Sequence, residues 1–351
     1  MIPSSTGSRC LITGGSGFLG INLVRTLLAA GLPLRSLDIA PFDYPERNRI
    51  DAILGDVCDA DAVDRAMNEV DTVVHCAAAL PLAGDEAIRS TDVSGTRILL
   101  EAASHHRVRR FIYISSTAVY GISDQHPVRE GDALKGVGPY GCAKIEAERI
   151  CADYRARGLC VPVIRAKSFV GPERLGAFEL LYDWAFDGHN FPVLGSGNNA
   201  YQLLDVADLC HVIRLCMTRE ERAVNDVFNV GAKEYSTMRE NLQAVLDRAG
   251  HGKRVVALPG PPSVLLLRLL KALKISPLYR WIYETADRES IVSIERLQER
   301  LGFTPRYSSR DALVRNFDWY VEHRAQPRHQ SGVSGRVPWK HGLLDAAKLF
   351  F

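Results

Sequence analysis

The sequence predicts an α/β protein: a doubly wound parallel sheet followed by a smaller, mostly helical domain. Three observations carry this. A glycine-rich turn joins an apolar run to an amphipathic one at the start of the chain; short apolar runs then alternate with helical periodicity through the first half; and after Lys167 the pattern gives way to long loops rich in Gly, Pro and Asn.

The first run, Cys10-Leu11-Ile12-Thr13, has the length of a buried parallel strand, and Ile21, Leu23, Val24, Leu27 and Leu28 follow at helical spacing. Gly14, Gly15, Gly17 and Gly20 therefore fall at a strand-to-helix turn. A missing side chain there lets backbone approach a ligand, and the N–H groups and positive dipole of the helix start attract an anion such as a pyrophosphate. The next apolar stretch, Leu32 to Leu37, ends in Asp38, about 20 residues on, where a carboxylate accepts hydrogen bonds from an adenosine ribose. This is the pattern of a Rossmann-type dinucleotide site. An acid there repels a 2′-phosphate and so favours NAD; Arg35 and Arg47 lie nearby, so NADP is disfavoured without being excluded.

Strands are expected in "VDTVVHCAA", "RRFIYISST" and "CVPVIRA", and helices in "STDVSGTRILLEAASHH" and "GPYGCAKIEAERICADYRARG". The late segment "DVFNVG" is a strand able to rejoin the sheet. The expected division is a cofactor domain over 1–167, rejoined by 205–232; a substrate domain over 168–204 and 233–324; and a tail over 325–351.

The chain has 351 residues, of which 46% are hydrophobic, enough for a substantial core. A net charge of +2 gives no bulk electrostatic case for nucleic acid. The eight cysteines lack paired spacing and read as small buried hydrophobes in a reducing compartment, with neither a disulfide frame nor a metal site expected. "MIPSSTGSR" lacks the regions of a signal peptide, so a cytoplasmic protein is expected, with a small-molecule substrate and a homodimeric assembly.

The motifs "TGGSGFLG" (Thr13 to Gly20), Asp38, "GDV" (Gly55 to Val57), "HCAA" (His75 to Ala78), "ISSTAVYG" (Ile114 to Gly121) and "YGCAK" (Tyr140 to Lys144) occur in this order. Together they resemble the extended short-chain dehydrogenases/reductases, the group of sugar-nucleotide epimerases and dehydratases and 3β-hydroxysteroid dehydrogenases. The likeness runs from Arg9 to about Arg324. It implies that Gly14, Gly17, Phe18, Leu19 and Gly20 form the cofactor turn, that Asp56 and Val57 contact adenine, and that Ala77 and Ala78 lie along NAD.

Tyr140 and Lys144, four apart on one helix, project from the same face. A neighbouring ammonium favours tyrosinate, drawing a phenol from about 10 toward working pH, where it serves as general acid/base; the same ammonium can hold the nicotinamide ribose. A strand-end hydroxyl must then hold the substrate oxygen. Ser116 matches the family position, with Ser115 and Thr117 beside it.

Departures narrow the chemistry. The Asp-Glu pair with which related 4,6-dehydratases perform elimination is Thr117-Ala118 here, which disfavours dehydration. The frequent family Asn of "NVxGT" is Asp92, which alters hydrogen bonding near the site. Where many relatives hold a diphosphate with Arg, this chain has Tyr201; a second such Arg has no counterpart around Tyr283 to Asp287, leaving Arg174, Arg254, Arg280 and Arg288 as substitutes. The segment Val264 to Ile275 and the tail from Trp339 to Phe351 carry basic residues among apolar ones, so peripheral membrane contact and a lipid-linked substrate are weighed against ordinary packing. The expected activity is NAD-dependent epimerisation of a sugar on a nucleotide or lipid diphosphate. The alternative is oxidoreduction of an apolar hydroxyl, as in 3β-hydroxysteroid dehydrogenases.

Overall fold

The structure, a computed structural model, describes residues 9–79, 83–259, 288–325 and Lys348. The first half runs β1 (Arg9–Thr13), α1 (Phe18–Ala29), β2 (Leu34–Asp38), β3 (Asp51–Leu54), α2 (Ala60–Met67), β4 (Val70–His75), α3 (Asp85–Arg89), a π-helical turn (Ser90–Gly95), α4 (Thr96–His105), β5 (Arg110–Ser116), α5 (Gly138–Ala156) and β6 (Val163–Ala166). The expected helix from Ser90 thus begins as a wider turn, and Asp92 lies in it. Local π geometry re-aims side chains and is frequent at functional sites.

Next come β7 (Phe169–Val170), α6 (Ala177–Phe186), β8 (Phe191–Leu194), β9 (Ala200–Tyr201), β10 (Leu204–Asp205), α7 (Val206–Thr218), α8 (Glu221–Val224) and β11 (Val227–Val230). The chain continues through β12 (Ser236–Thr237), α9 (Met238–Ala249), β13 (Val255–Leu258), α10 (Glu295–Leu301) and α11 (Ser309–His323).

Seven strands form one sheet in the order β11-β6-β5-β4-β1-β2-β3, every pair parallel. The late segment "DVFNVG" supplies its edge strand. Alternate residues of β1 face opposite cores. Ile12 packs with Ile21, Leu23 and Val24 of α1 and with α7, whereas Leu11 packs with Val63 of α2, Leu99 of α4 and Ile150 of α5. Covering both faces explains why the strands read as unbroken apolar runs. Strand order reverses between β1 and β4, and a ligand crevice forms outside the carboxyl ends at such a point.

A third cluster joins α6, α9 and α11 through Tyr182, Val245 and Phe317. Both α9 and α11 begin with a capping box, Thr237 with Glu240 and Ser308 with Asp311, which satisfies N–H groups at each helix start.

Among the described residues no helix is long and apolar enough to cross a membrane. The segment Val264 to Ile275 lies outside the described residues, as does the tail except Lys348. That lysine pairs with Asp183 at 2.7 Å and Asp187 at 2.5 Å, which favours the packing alternative over headgroup contact for this residue. Two carboxylates on the protein hold its charge.

Candidate active site

The glycine turn is built for close approach. A Cβ at Gly14, whose φ is +71°, would stand 2.8 Å from the Ala77 backbone, and one at Gly20 would stand 2.2 Å from the Gly14 carbonyl. A Cβ at Gly17 would meet only the Gly14 carbonyl, at 3.2 Å, and no side chain caps the α1 N-terminus that Gly17 opens. This cradle of bare backbone at a helix start fits a dinucleotide pyrophosphate.

Asp38 stands at the end of β2, and its carboxylate already accepts the backbone N–H groups of Ser16 and Ala40, each at 2.9 Å. It therefore clamps the glycine turn, and burial holds its carboxyl above the usual range despite those bonds. Arg35 is spent elsewhere: it pairs with Asp51 at 2.7 Å and donates to the carbonyls of Ala66 and Asn68, so it offers no free charge to a 2′-phosphate. Asp56 is exposed and accepts from the Cys58 N–H, Val57 is buried, and Ala77 and Ala78 follow β4 at the crevice.

His75, the first residue of "HCAA", has a bonding role inside the fold. Its Nδ1 lies 2.7 Å from the Thr13 hydroxyl and its Nε2 3.0 Å from that of Thr96, which donates to the Asp92 carbonyl. Since the Thr96 proton is committed, Nε2–H donates and Nδ1 accepts. Burial, then the charge of Lys144, pushes its pKa down to about 3. The imidazole is a neutral tie between β1, β4 and α4.

Ser116 ends β5, and its Oγ accepts from the Ala118 N–H at 3.2 Å. Ser115 is excluded from the crevice: its hydroxyl donates to Glu148 at 2.5 Å, and Glu148 is paired with Arg165 at 2.6 Å. Tyr140 and Lys144 lie on α5, the ammonium 5.7 Å from the Tyr140 ring centre. Ser116 stands close enough to the phenol to favour its charged form.

Lys144 is 2% exposed and pairs with the fully buried Asp92 at 2.8 Å, while also donating to the Ile114 carbonyl at 3.2 Å. The second Asp92 oxygen accepts the Ala79 N–H at 3.0 Å. Burial alone would lower the lysine, but Asp92, Tyr113 and Tyr140 hold it well above its ordinary value, so it stays charged. The sequence expectation of a depressed Tyr140 phenol is corrected here. Burial raises it, Lys144 opposes, Asp92 raises it again, and the smaller help of Ser116 and Arg174 leaves the phenol above its usual value.

Of the substitute arginines, Arg174 is the one placed near Tyr140. Its guanidinium lies 5.2 Å from the Phe18 ring centre, and its Nε is buried without a hydrogen-bond partner among the described residues. Arg254 and Arg288 are exposed, and Arg280 and the stretch Tyr283 to Asp287 lie outside the described residues. No cluster able to hold a metal ion occurs among the described residues. Sequence reasoning missed two features: the Asp92–Lys144 pair, signalled by the Asp in "DVSGT", and Lys167, which stands two residues after Arg165 in the largely apolar run "VIRAKSFV".

A glycine-lined helix start at a strand-order reversal, with hydroxyl, phenol and ammonium on the neighbouring strand and helix, defines a dinucleotide-dependent enzyme of the extended short-chain dehydrogenase/reductase class. Residues 10–231 match the NAD dependent epimerase/dehydratase family. A dTDP-glucose 4,6-dehydratase of Streptomyces niveus is 31% identical over 90% of this chain and 94% of that protein. A 3 beta-hydroxysteroid dehydrogenase/Delta 5-->4-isomerase of Mycobacterium tuberculosis is 26% identical over 92% of this chain and 93% of that protein. The UDP-glucose 4-epimerase of Thermotoga maritima, solved with UDP-glucose, superposes with a TM-score of 0.76 at 21% identity, covering 90% of this chain and 99% of that one. The chain belongs to the NAD dependent epimerase/dehydratase family, and its cofactor is NAD.

Proposed function

We propose that the protein epimerises a sugar carried on a nucleoside diphosphate. The observation that carries this is the cluster of Ser116, Tyr140 and Lys144 at the carboxyl ends of the strands, beside Thr117 and Ala118, which bear no carboxylate for an elimination. Gly14, Gly17, Phe18, Leu19, Gly20, Asp38, Asp56, Val57, Ala77 and Ala78 would hold NAD, with Lys144 on the nicotinamide ribose. When bound, NAD supplies a reversible hydride acceptor.

Tyr140 acts as its phenolate, the form that Lys144 favours and burial and Asp92 oppose: it takes the proton of a sugar hydroxyl and later returns it, while Ser116 orients the same oxygen. The carbinol carbon becomes a ketone, the sugar presents its other face, and reduction there inverts the centre. The cycle closes without net redox change. A nucleotide carrier is favoured because the named substrates of the relatives, dTDP-glucose and UDP-glucose, are nucleotide sugars.

The test is incubation with UDP- and dTDP-sugars while following NADH absorbance and product stereochemistry by NMR. A stereoisomer without accumulating NADH is expected. Product lighter by one water, or NADH formed in step with product, overturns the reading. The likeness to the mycobacterial steroid dehydrogenase supports a second reading, oxidation of an apolar hydroxyl, and NADH formed with a sterol would select it.

A further inference from the structure

We infer that Lys167 is an anion ligand in the substrate crevice, taking a carboxylate or phosphate oxygen of the substrate. Register places it there. Ala166 is the sheet partner of Ser116, so Lys167 stands one residue past it at the same carboxyl rim, its N–H bonded to the Val230 carbonyl at 2.9 Å. The side chain is 3% exposed and ends on the Ser290 hydroxyl, with its ammonium 5.2 Å from the Tyr201 ring centre. Ser290 is fixed by backbone bonds to Ala200 and Gln202, and the Tyr201 and Ser168 hydroxyls are 3.5 Å apart.

The contrast with the other buried cations of this region is informative. Lys144 has Asp92 and Arg165 has Glu148, each carboxylate within 2.8 Å, whereas no carboxylate pairs with Lys167 among the described residues. A buried ammonium held by a hydroxyl and an aromatic face is costly unless an anion completes it. Burial lowers its pKa to about 7. Among the described residues the titratable group touching it is Tyr201, whose phenol burial raises, so it stays neutral. Among the described residues, Lys167 is therefore the cation that an incoming anion meets beside Ser290 and Tyr201.

This rests on the sugar-nucleotide reading only for the identity of the substrate, and the test separates the two. Thermal shift and titration calorimetry on the full chain, wild type and Lys167→Met, use pyrophosphate, glucuronate, UDP, dTDP, UDP-glucose and UDP-glucuronate. Methionine suits the buried space, so the ligand-free variant is expected to melt at or above the wild-type temperature. The charged contact predicts that the variant binds its anion about 10- to 100-fold more weakly. Equal losses for UDP, dTDP and both UDP-sugars identify the diphosphate; a loss confined to glucuronate and UDP-glucuronate identifies a sugar carboxylate. Wild-type affinity should fall above pH 7 by up to about tenfold per unit, as the amine loses its proton. Pyrophosphate or glucuronate favouring wild type while no nucleotide binds would sink the nucleotide reading and leave this one standing. Every nucleotide of the panel, UDP-glucuronate included, binding both proteins alike, or no member of the panel distinguishing them, overturns it.

Discussion

Replacing Asp92 with asparagine tests how the buried pair sets the acidity of Tyr140. In the native site the charges of Lys144 and Asp92, 2.8 Å apart, oppose each other at the phenol, and burial is the largest influence. Asparagine keeps an oxygen for the Lys144 ammonium and leaves its charge unopposed. At an effective dielectric of about 20, a unit charge 5.7 Å from the ring centre acts with about 3 kcal/mol, or ~2 pK units, and the native pair already delivers part of this. A fall of about one to two units is therefore expected in Asp92→Asn. The competing outcome is that Lys144 sheds its proton instead, which would raise the phenol; the Ile114 carbonyl and the Tyr113 ring at 5.0 Å still favour the cation. Tyrosinate absorbance, measured as the difference between each protein and its Tyr140→Phe counterpart, reads this without a substrate. The acid limb of kcat/KM should move to lower pH by the same amount. A phenol that stays put or titrates higher refutes the reasoning.

Tyr140→Phe should abolish turnover while NAD affinity measured by calorimetry stays near wild type, and retained activity would remove Tyr140 from the mechanism. Lys144→Ala should lose turnover and weaken NAD together, and it should destabilise the fold by about 3–5 kcal/mol in urea titration, because Asp92 is left buried without its partner. Asp38→Ala should shrink the preference for NAD over NADP and weaken both, since the carboxylate also clamps the turn through Ser16; a wild type that prefers NADP would overturn the assignment. His75 carries a pH signature. Its folded pKa of about 3 lies below the unfolded value of about 6.5, so the unfolded chain binds the extra proton between these values and stability from this group falls as pH drops through that window. Between pH 7 and 5 the loss is about 2 kcal/mol, and His75→Gln, which cannot titrate, should remove that part of the acid sensitivity of the urea midpoint.

The cofactor half was legible in the sequence because its signals are local. Glycines at fixed offsets, an acid at a strand end and two side chains four apart on a helix each specify geometry within a few residues, and apolar runs announce strands covered on both faces. The Asp92–Lys144 pair joins positions 52 apart in the chain, and only the π-helical turn at Ser90–Gly95 aims the carboxylate at the lysine. The acidity of the Tyr140 phenol is illegible in the sequence for the same reason. One neighbour, Lys144, was visible from spacing, while burial and the opposing carboxylate belong to tertiary structure.

Apart from Asp92, which pairs with Lys144, the departures from the family pattern at Thr117-Ala118 and Tyr201 fall on the side of the crevice where Lys167 lies. Thr117 and Ala118 follow the β5 hydroxyl, Lys167 follows β6 on the adjacent strand, and Tyr201 lies over that lysine, whereas the glycine turn, Asp38 and the Tyr140–Lys144 helix keep the expected pattern. A chain that had lost catalysis would have no reason to retain a buried, ion-paired Lys144, because a buried pair costs desolvation that an apolar substitution avoids. Retention of the hydride and proton machinery with an altered crevice wall argues for an enzyme whose substrate differs in the groups that meet Thr117, Lys167 and Tyr201. Elimination needs an acid and a base beside the reacting carbon, and Thr117 and Ala118 bear no carboxylate to serve as either. The same wall that disfavours dehydration thus suits recognition of an anion, and the Lys167 variant is the most direct probe of which anion that is.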